Sequence, residues 1–183
     1  MNAQDISKLP HARTRIKICG LTREQDVDAA VAAGADAVGF VLYAPSPRAV
    51  TPERAAQLAR RLPPFVTPVL LFVNESATNV IATSALVAGA TVQFHGDESP
   101  QNCLAATHQG ARPYLRAARI PLGDGAASFD LVKYAHDYSH AQAILLDAHV
   151  EGLAAAARHS IGHSFHQASA LTSFCLVDSR LET

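Results

Sequence analysis

Tryptophan is missing from the 183 residues, methionine occurs once, and no sign of charge dominates, with 16 Asp and Glu against 15 Lys and Arg. So small a net charge leaves no long-range field to gather nucleic acid or to hold the chain on an acidic membrane, so any anion site must be local. No stretch approaches the ~20 uninterrupted apolar residues of a membrane span, and the polar start MNAQDISKLPHAR has no apolar run of signal-peptide length. The three cysteines, Cys19, Cys103 and Cys175, are odd in number and widely spaced, which argues against a disulfide framework and suits a reducing compartment. The expectation is a cytoplasmic protein with no nucleic-acid or membrane partner. What is abundant is apolar: 49% hydrophobic against 17% charged residues predicts a sizeable core. The length suits one domain, yet is short for a complete eight-stranded α/β barrel of about 200 to 250 residues.

Apolar runs and helical patterns alternate along the chain. Ile16 to Cys19 reads as a strand, followed by Gly20, by Thr22 as an N-cap, and by the helix REQDVDAAVAAG closed at Gly34. ADAVGFVLY, from Ala35 to Tyr43, is a near-continuous apolar strand. After the Pro-rich loop APSPRAV, Thr51 opens a helix with Pro52 at its first position. PVLLFV, TVQFH, RPYLRAA and AILLD continue the strands, and NESATNVIATSALVAG, SPQNCLAATHQG and FDLVKYAHDYS the helices. This is about six βα units with right-handed crossovers and a parallel sheet. An open doubly wound sheet and a closed barrel both fit the count. In either, function gathers where the strands end.

Those ends carry Lys17 and Cys19, Tyr43 and Arg48, Asn74, Gln93 and His95, Arg116, and Asp147. Cys19 is either a small buried hydrophobe or, followed by Gly20, a reactive thiol. Lys17 shares a strand face with it by alternation, where a lysine needs a charged partner or a phosphate. Asp147 reads as a loop carboxylate or an acid, His95 first as a turn residue capping through a ring nitrogen, and Arg48 as a solvated side chain or an anion clamp. His159, His163 and His166 fall at i, i+4 and i+7 with Cys175 beyond. They would share a helical face, but they have no zinc spacing signature, so no metal is expected.

Five segments in order, KICGLT from Lys17, GADAVGFVLYAPSPRAVTPERA from Gly34, LLFVNES from Leu70, VQFHGDES from Val92 and ILLDAHVEG from Ile144, resemble the phosphoribosylanthranilate isomerases of tryptophan biosynthesis. The resemblance implies a cofactor-independent (β/α)8 barrel, of which about the first six βα units are present. Its reaction is the Amadori rearrangement of N-(5'-phosphoribosyl)anthranilate to 1-(2-carboxyphenylamino)-1-deoxyribulose 5-phosphate. It places the general base on Cys19, the general acid on Asp147, a carboxylate-holding arginine on Arg48, and further substrate-site residues on Lys17, Gln93 and His95.

The resemblance covers residues 14–152, preceded by an extension at 1–13 and followed by a tail at 153–183 without the family's later motifs. The family's Gly-rich loop, F-D-W segment and phosphate-binding S-G-G turn are not found after Gly152. On this reading the bare strand edges at Ile16 and Ile144 invite self-association, and the chain is an isomerase or an inactive remnant of one. The tail is expected to be family sequence in a shifted frame. Joining each free third codon base to the next two lets Leu153 to Gly162 spell G-G-G-G-K-A-F-D-W, and Phe174 to Ser179 spell L-S-G-G-L. Sequencing the gene tests this, and codons from Leu153 that do not spell these motifs would make the tail a true divergence.

Overall fold

The structure, a computed structural model, describes residues 13–121, 128–149 and 176–178. The elements are β1 Lys17–Cys19, α1 Glu24–Ala32, β2 Ala37–Val41, α2 Pro52–Ala59, β3 Thr67–Phe72, α3 Ala77–Ala85, β4 Thr91–Phe94, α4 Pro100–Ala106, β5 Tyr114–Pro121, α5 Leu131–Asp137, β6 Ala143–His149 and β7 Leu176–Asp178. Strands β1 to β6 are parallel and pair in chain order. A doubly wound sheet reverses its order at a switch point; this one does not, and it curls as part of a barrel.

Local chemistry accounts for the helix starts. Side-chain oxygens of Thr51, Ser76, Ser99 and Asp130 accept from the backbone N–H groups of Arg54, Asn79, Asn102 and Lys133, the N-cap bond that satisfies a donor the helix leaves free. Helix α1 departs from the expected Thr22 cap. Arg23 occupies that position without a side-chain cap bond, and its guanidinium pairs with Asp26 in the first turn. Acidic Glu24 and Asp26 favour the helix N-terminus electrostatically, which makes a hydroxyl cap dispensable.

Alternation along the strands divides the side chains between two layers. Val38, Phe40, Leu70, Phe72, Val92, Phe94 and Tyr114 pack toward the helices in the main core. Val69, Leu115 and Ala143, with Ala37, form a smaller cluster on the other face, the inside of the curl. Cα pairing carries that inner face from strand to strand: Cys19 with Gly39, Leu71 with Gln93, Gln93 with Leu115, and Arg119 with Asp147.

Strand β7 pairs antiparallel with β6, Leu176 against Leu145 and Asp178 against Ala143. The edge at Ile144, expected to be bare, is therefore covered there, with Val177 as partner of Ile144. Exposed strand donors and acceptors pair with whatever extended backbone lies in reach. Residues 1–12, 150–175 and 179–183, including His159, His163, His166 and Cys175, lie outside the described residues.

Arg116 is not at the strand end. Strand β5 runs on to Pro121, and Arg116 points into the helix-side core, 3% exposed. Its guanidinium donates to the backbone oxygens of Phe94 and Gly96 and to Glu98 Oε2 at 3.2 Å. The ring of Tyr138 lies 4.8 Å from its central carbon. Glu98 in turn accepts from the backbone N–H of Asn74 at 2.7 Å and of Gly96 at 2.9 Å. One buried ion pair thus ties the loops after β3 and β4 to β5 and α5. Removing either partner strands a buried charge at a cost of about 3 to 5 kcal/mol. Glu98→Ala should therefore lower unfolding stability by about that amount in a urea titration, and a loss below 1 kcal/mol would show that the pair does not organise these loops.

Candidate active site

Cys19, Gln93, His95 and Asp147 belong to the inner face of the curl, toward the carboxyl ends of β1, β4 and β6, and Lys17 shares that face at the start of β1. The structure brings three of them into one chain of hydrogen bonds. Gln93 Nε2 lies 2.9 Å from His95 Nδ1, and His95 Nε2 lies 2.9 Å from Asp147 Oδ2. His95 is thus not the turn cap that its place beside Gly96 suggests; its ring bridges β4 to β6. The side chains of His95 and Asp147 are 19% and 25% exposed, enough for a ligand at the rim to reach the carboxylate.

Cys19 and Arg48 form a second group at β1. Arg48, on the loop after β2, is exposed, and its Nη1 donates to the backbone oxygen of Cys19 at 3.2 Å. The same guanidinium lies over Gly20, where an added Cβ would come within 2.8 Å of Arg48 Nη1. Gly20 also holds φ +85°, a conformation that disfavours a side chain. The bent backbone after Cys19 therefore draws Arg48 beside the thiol residue and keeps its remaining donors available at the rim.

Burial separates the described cysteines chemically. Cys103, in α4, is fully buried, and burial pushes its thiol up to about 12, so it stays protonated near neutrality. Cys19 is half-buried at the rim. Lys17 lies one inward position below it, with its Nζ shielded from solvent. Tyr43 is exposed on its loop, and Asn74 serves the loop framework, its Oδ1 accepting from Asp97 N–H at 2.6 Å.

Two residues of the rim escaped sequence reasoning. Arg119 is the Cα partner of Asp147 on the inner face and pairs with Asp97 of the loop after β4. Ending the β5 strand too early hid it, because the strand continues past Ala118 through Arg119 to Pro121. The other is Gly39, the Cα partner of Cys19, where a Cβ would stand 2.5 Å from Cys19 Sγ. A glycine inside a buried strand is itself the signal, since it marks a close approach. Among the described residues no three His, Cys, Asp or Glu side chains converge as metal ligands, and no helix is long and apolar enough to cross a membrane.

The Gly39 contact has a measurable consequence. Gly39→Ala should cost about 1 to 3 kcal/mol of stability by overpacking, and the cost should shrink in a Cys19→Ala background, since Sγ is the nearest atom it meets. Equal costs in both backgrounds, read from denaturant unfolding, would show that the thiol does not fill that space.

Comparison with known proteins converges on one family. The family model described as N-(5'phosphoribosyl)anthranilate (PRA) isomerase matches residues 16–163. The N-(5'-phosphoribosyl)anthranilate isomerase of Methylibium petroleiphilum is 61% identical over 140 residues, covering 76% of this chain and 62% of that protein. That of Leptothrix cholodnii is 59% identical over 144 residues, covering 79% and 61%. The chain thus spans about three-fifths of the length of these curated relatives. The crystal structure of phosphoribosyl anthranilate isomerase from Thermotoga maritima superposes with a TM-score of 0.65 at 33% identity, covering 76% of this chain and 64% of that one. A crystal structure of the isomerase in complex with reduced 1-(o-carboxyphenylamino)-1-deoxyribulose 5-phosphate superposes with a TM-score of 0.64 at 33% identity, covering 80% and 71%. With the parallel order of β1 to β6 shared and the family model matched from residue 16 to 163, this chain belongs to the N-(5'-phosphoribosyl)anthranilate isomerase family.

Proposed function

We propose that this chain acts in tryptophan biosynthesis as an isomerase of N-(5'-phosphoribosyl)anthranilate, carrying out the Amadori rearrangement to 1-(2-carboxyphenylamino)-1-deoxyribulose 5-phosphate in the cytoplasm. The observation that supports it most is the placing of a half-exposed thiol and a partly exposed carboxylate on one inner rim, on the first and sixth strands. The reaction needs an acid on one atom of the sugar and a base on another, and no electrons leave or enter, so it calls for no cofactor.

In this mechanism Asp147, protonated, delivers its proton to the furanose ring oxygen as the bond from that oxygen to C1 breaks, and the nitrogen lone pair forms the Schiff base. Cys19 as thiolate then takes the proton from C2, and the electron pair moves to the nitrogen, giving an enolamine. Tautomerisation of the enolamine gives the ketone. Arg48 holds the anthranilate carboxylate beside Cys19, and planar guanidinium donors suit that anion. Lys17 adds positive charge beneath the thiol residue. Positioned acid and base groups of this kind contribute about 10² to 10⁴ each.

A second reading is a chain that binds substrate without turnover, a remnant of the isomerase. An assay on the purified chain, with the labile substrate generated in situ, separates the two. Cys19→Ser and Asp147→Asn should each lower kcat by about 10² or more, while Arg48→Ala raises KM chiefly. Near wild-type kcat in Cys19→Ala would remove the thiol from the role of base, and binding of substrate with no turnover would favour the remnant.

A further inference from the structure

We infer that Gln93 is a positioning residue that sets the tautomer of His95 and thereby the oxygen from which Asp147 acts. The inference rests on the isomerase reading for the role of Asp147, but its geometry stands apart from that reading. Gln93 is 0% exposed in the middle of the inner face, with Leu71 and Leu115 as its Cα partners on either side. Its Nε2 meets His95 Nδ1 at 2.9 Å, whereas its Oε1 is buried with no hydrogen-bond partner. For packing alone, an apolar side chain of similar size would be better, because it would leave no acceptor unpaired.

The amide nitrogen of a glutamine can only donate. His95 Nδ1 must therefore accept and carry no hydrogen, so the single hydrogen of the neutral ring sits on Nε2. From there it is donated to Asp147 Oδ2, 2.9 Å away. The reverse amide orientation would put Oε1 against a protonated Nδ1 and leave Nε2 bare, and the contact with Asp147 would then need a proton on the carboxyl group itself. The orientation of one buried amide thus decides between two positions of one proton.

Two consequences follow for the acid. With Oδ2 engaged by His95, Oδ1 is the oxygen left to face a sugar ring. As the proton leaves Oδ1, the carboxylate charge develops against an N–H donor already in place, so no group has to reorganise. Arg119, the strand neighbour of Asp147, is engaged with Asp97 and leaves the Oδ2 contact to the imidazole.

Nitrogen-15 spectroscopy of the histidine ring in the full chain tests this, with the His95 signals assigned by their loss in His95→Gln. The expected result is a bare Nδ1 and a protonated Nε2 in the wild type. In Gln93→Leu the preference should relax toward a mixture of both forms, and in Gln93→Glu, which offers only acceptors when ionised, Nδ1 should gain a proton. In turnover, Gln93→Leu should lower kcat by about 10- to 100-fold, as mispositioned groups do, with KM changed less than about threefold. A protonated Nδ1 in the wild type overturns the inference, as does an unchanged tautomer in Gln93→Leu. The expected tautomers in a chain that turns over no substrate would uphold the assignment to Gln93 while removing the isomerase reading.

Discussion

Two loops that frame the inner rim are held by a charge far from water: the guanidinium of Arg116, enclosed by β4, β5 and α5 and neutralised by Glu98. The pair uses most of its hydrogen-bonding capacity on backbone. Arg116 takes the carbonyls of Phe94 and Gly96, and Glu98 takes the N–H groups of Asn74 and Gly96. A buried ion pair rarely adds net stability over apolar packing, but it penalises every arrangement in which one member lacks its partner. Here that penalty falls on displacement of the loop that begins at His95, so the bridge from His95 to Asp147 is held at its base by a residue on the opposite face of the sheet.

The parallel order of the first six strands does the rest of the positioning. Because neighbouring strands pair in register, inward positions line up across the sheet, and polar residues at their carboxyl ends are gathered without any sequence proximity. His95 and Asp147 touch across 52 residues of chain. Cys19 reaches its place by a different device: its neighbour on β2 is Gly39, so the thiol occupies space that any side chain there would fill. Arg48 then closes over the backbone at Cys19 and Gly20.

Cys19 and Cys103 show how environment distributes chemistry among like residues. One is half-buried beside an exposed guanidinium; the other is sealed in the helix layer with its thiol held protonated by burial. Local pattern puts Cys19 at the end of a strand before Gly20 and Cys103 inside a helix, and only packing seals the second thiol from solvent. The same holds for the arginines of β5, spaced three apart: Arg116 faces the helices and Arg119 the inside of the curl.

The amino-acid sequence by itself determined the order and kind of the elements, the Thr51 helix start, the family, and the placing of Cys19, Gln93, His95 and Asp147 toward the carboxyl ends of their strands, with Arg48 on the loop after β2. These are written in short-range chemistry: apolar runs, hydroxyl or carboxylate caps, prolines at first helical positions, and motifs a few residues long. Tertiary structure alone decided that Arg116 is a buried ion-pair member, that Arg119 stands beside Asp147, that His95 bridges Gln93 to Asp147, and that β7 covers the edge of β6. Each of these turns on where a strand ends and which face a side chain takes. Alternation puts Arg116 and Arg119 on opposite faces, and only pairing and packing against the neighbouring strands and helices decides which face each takes.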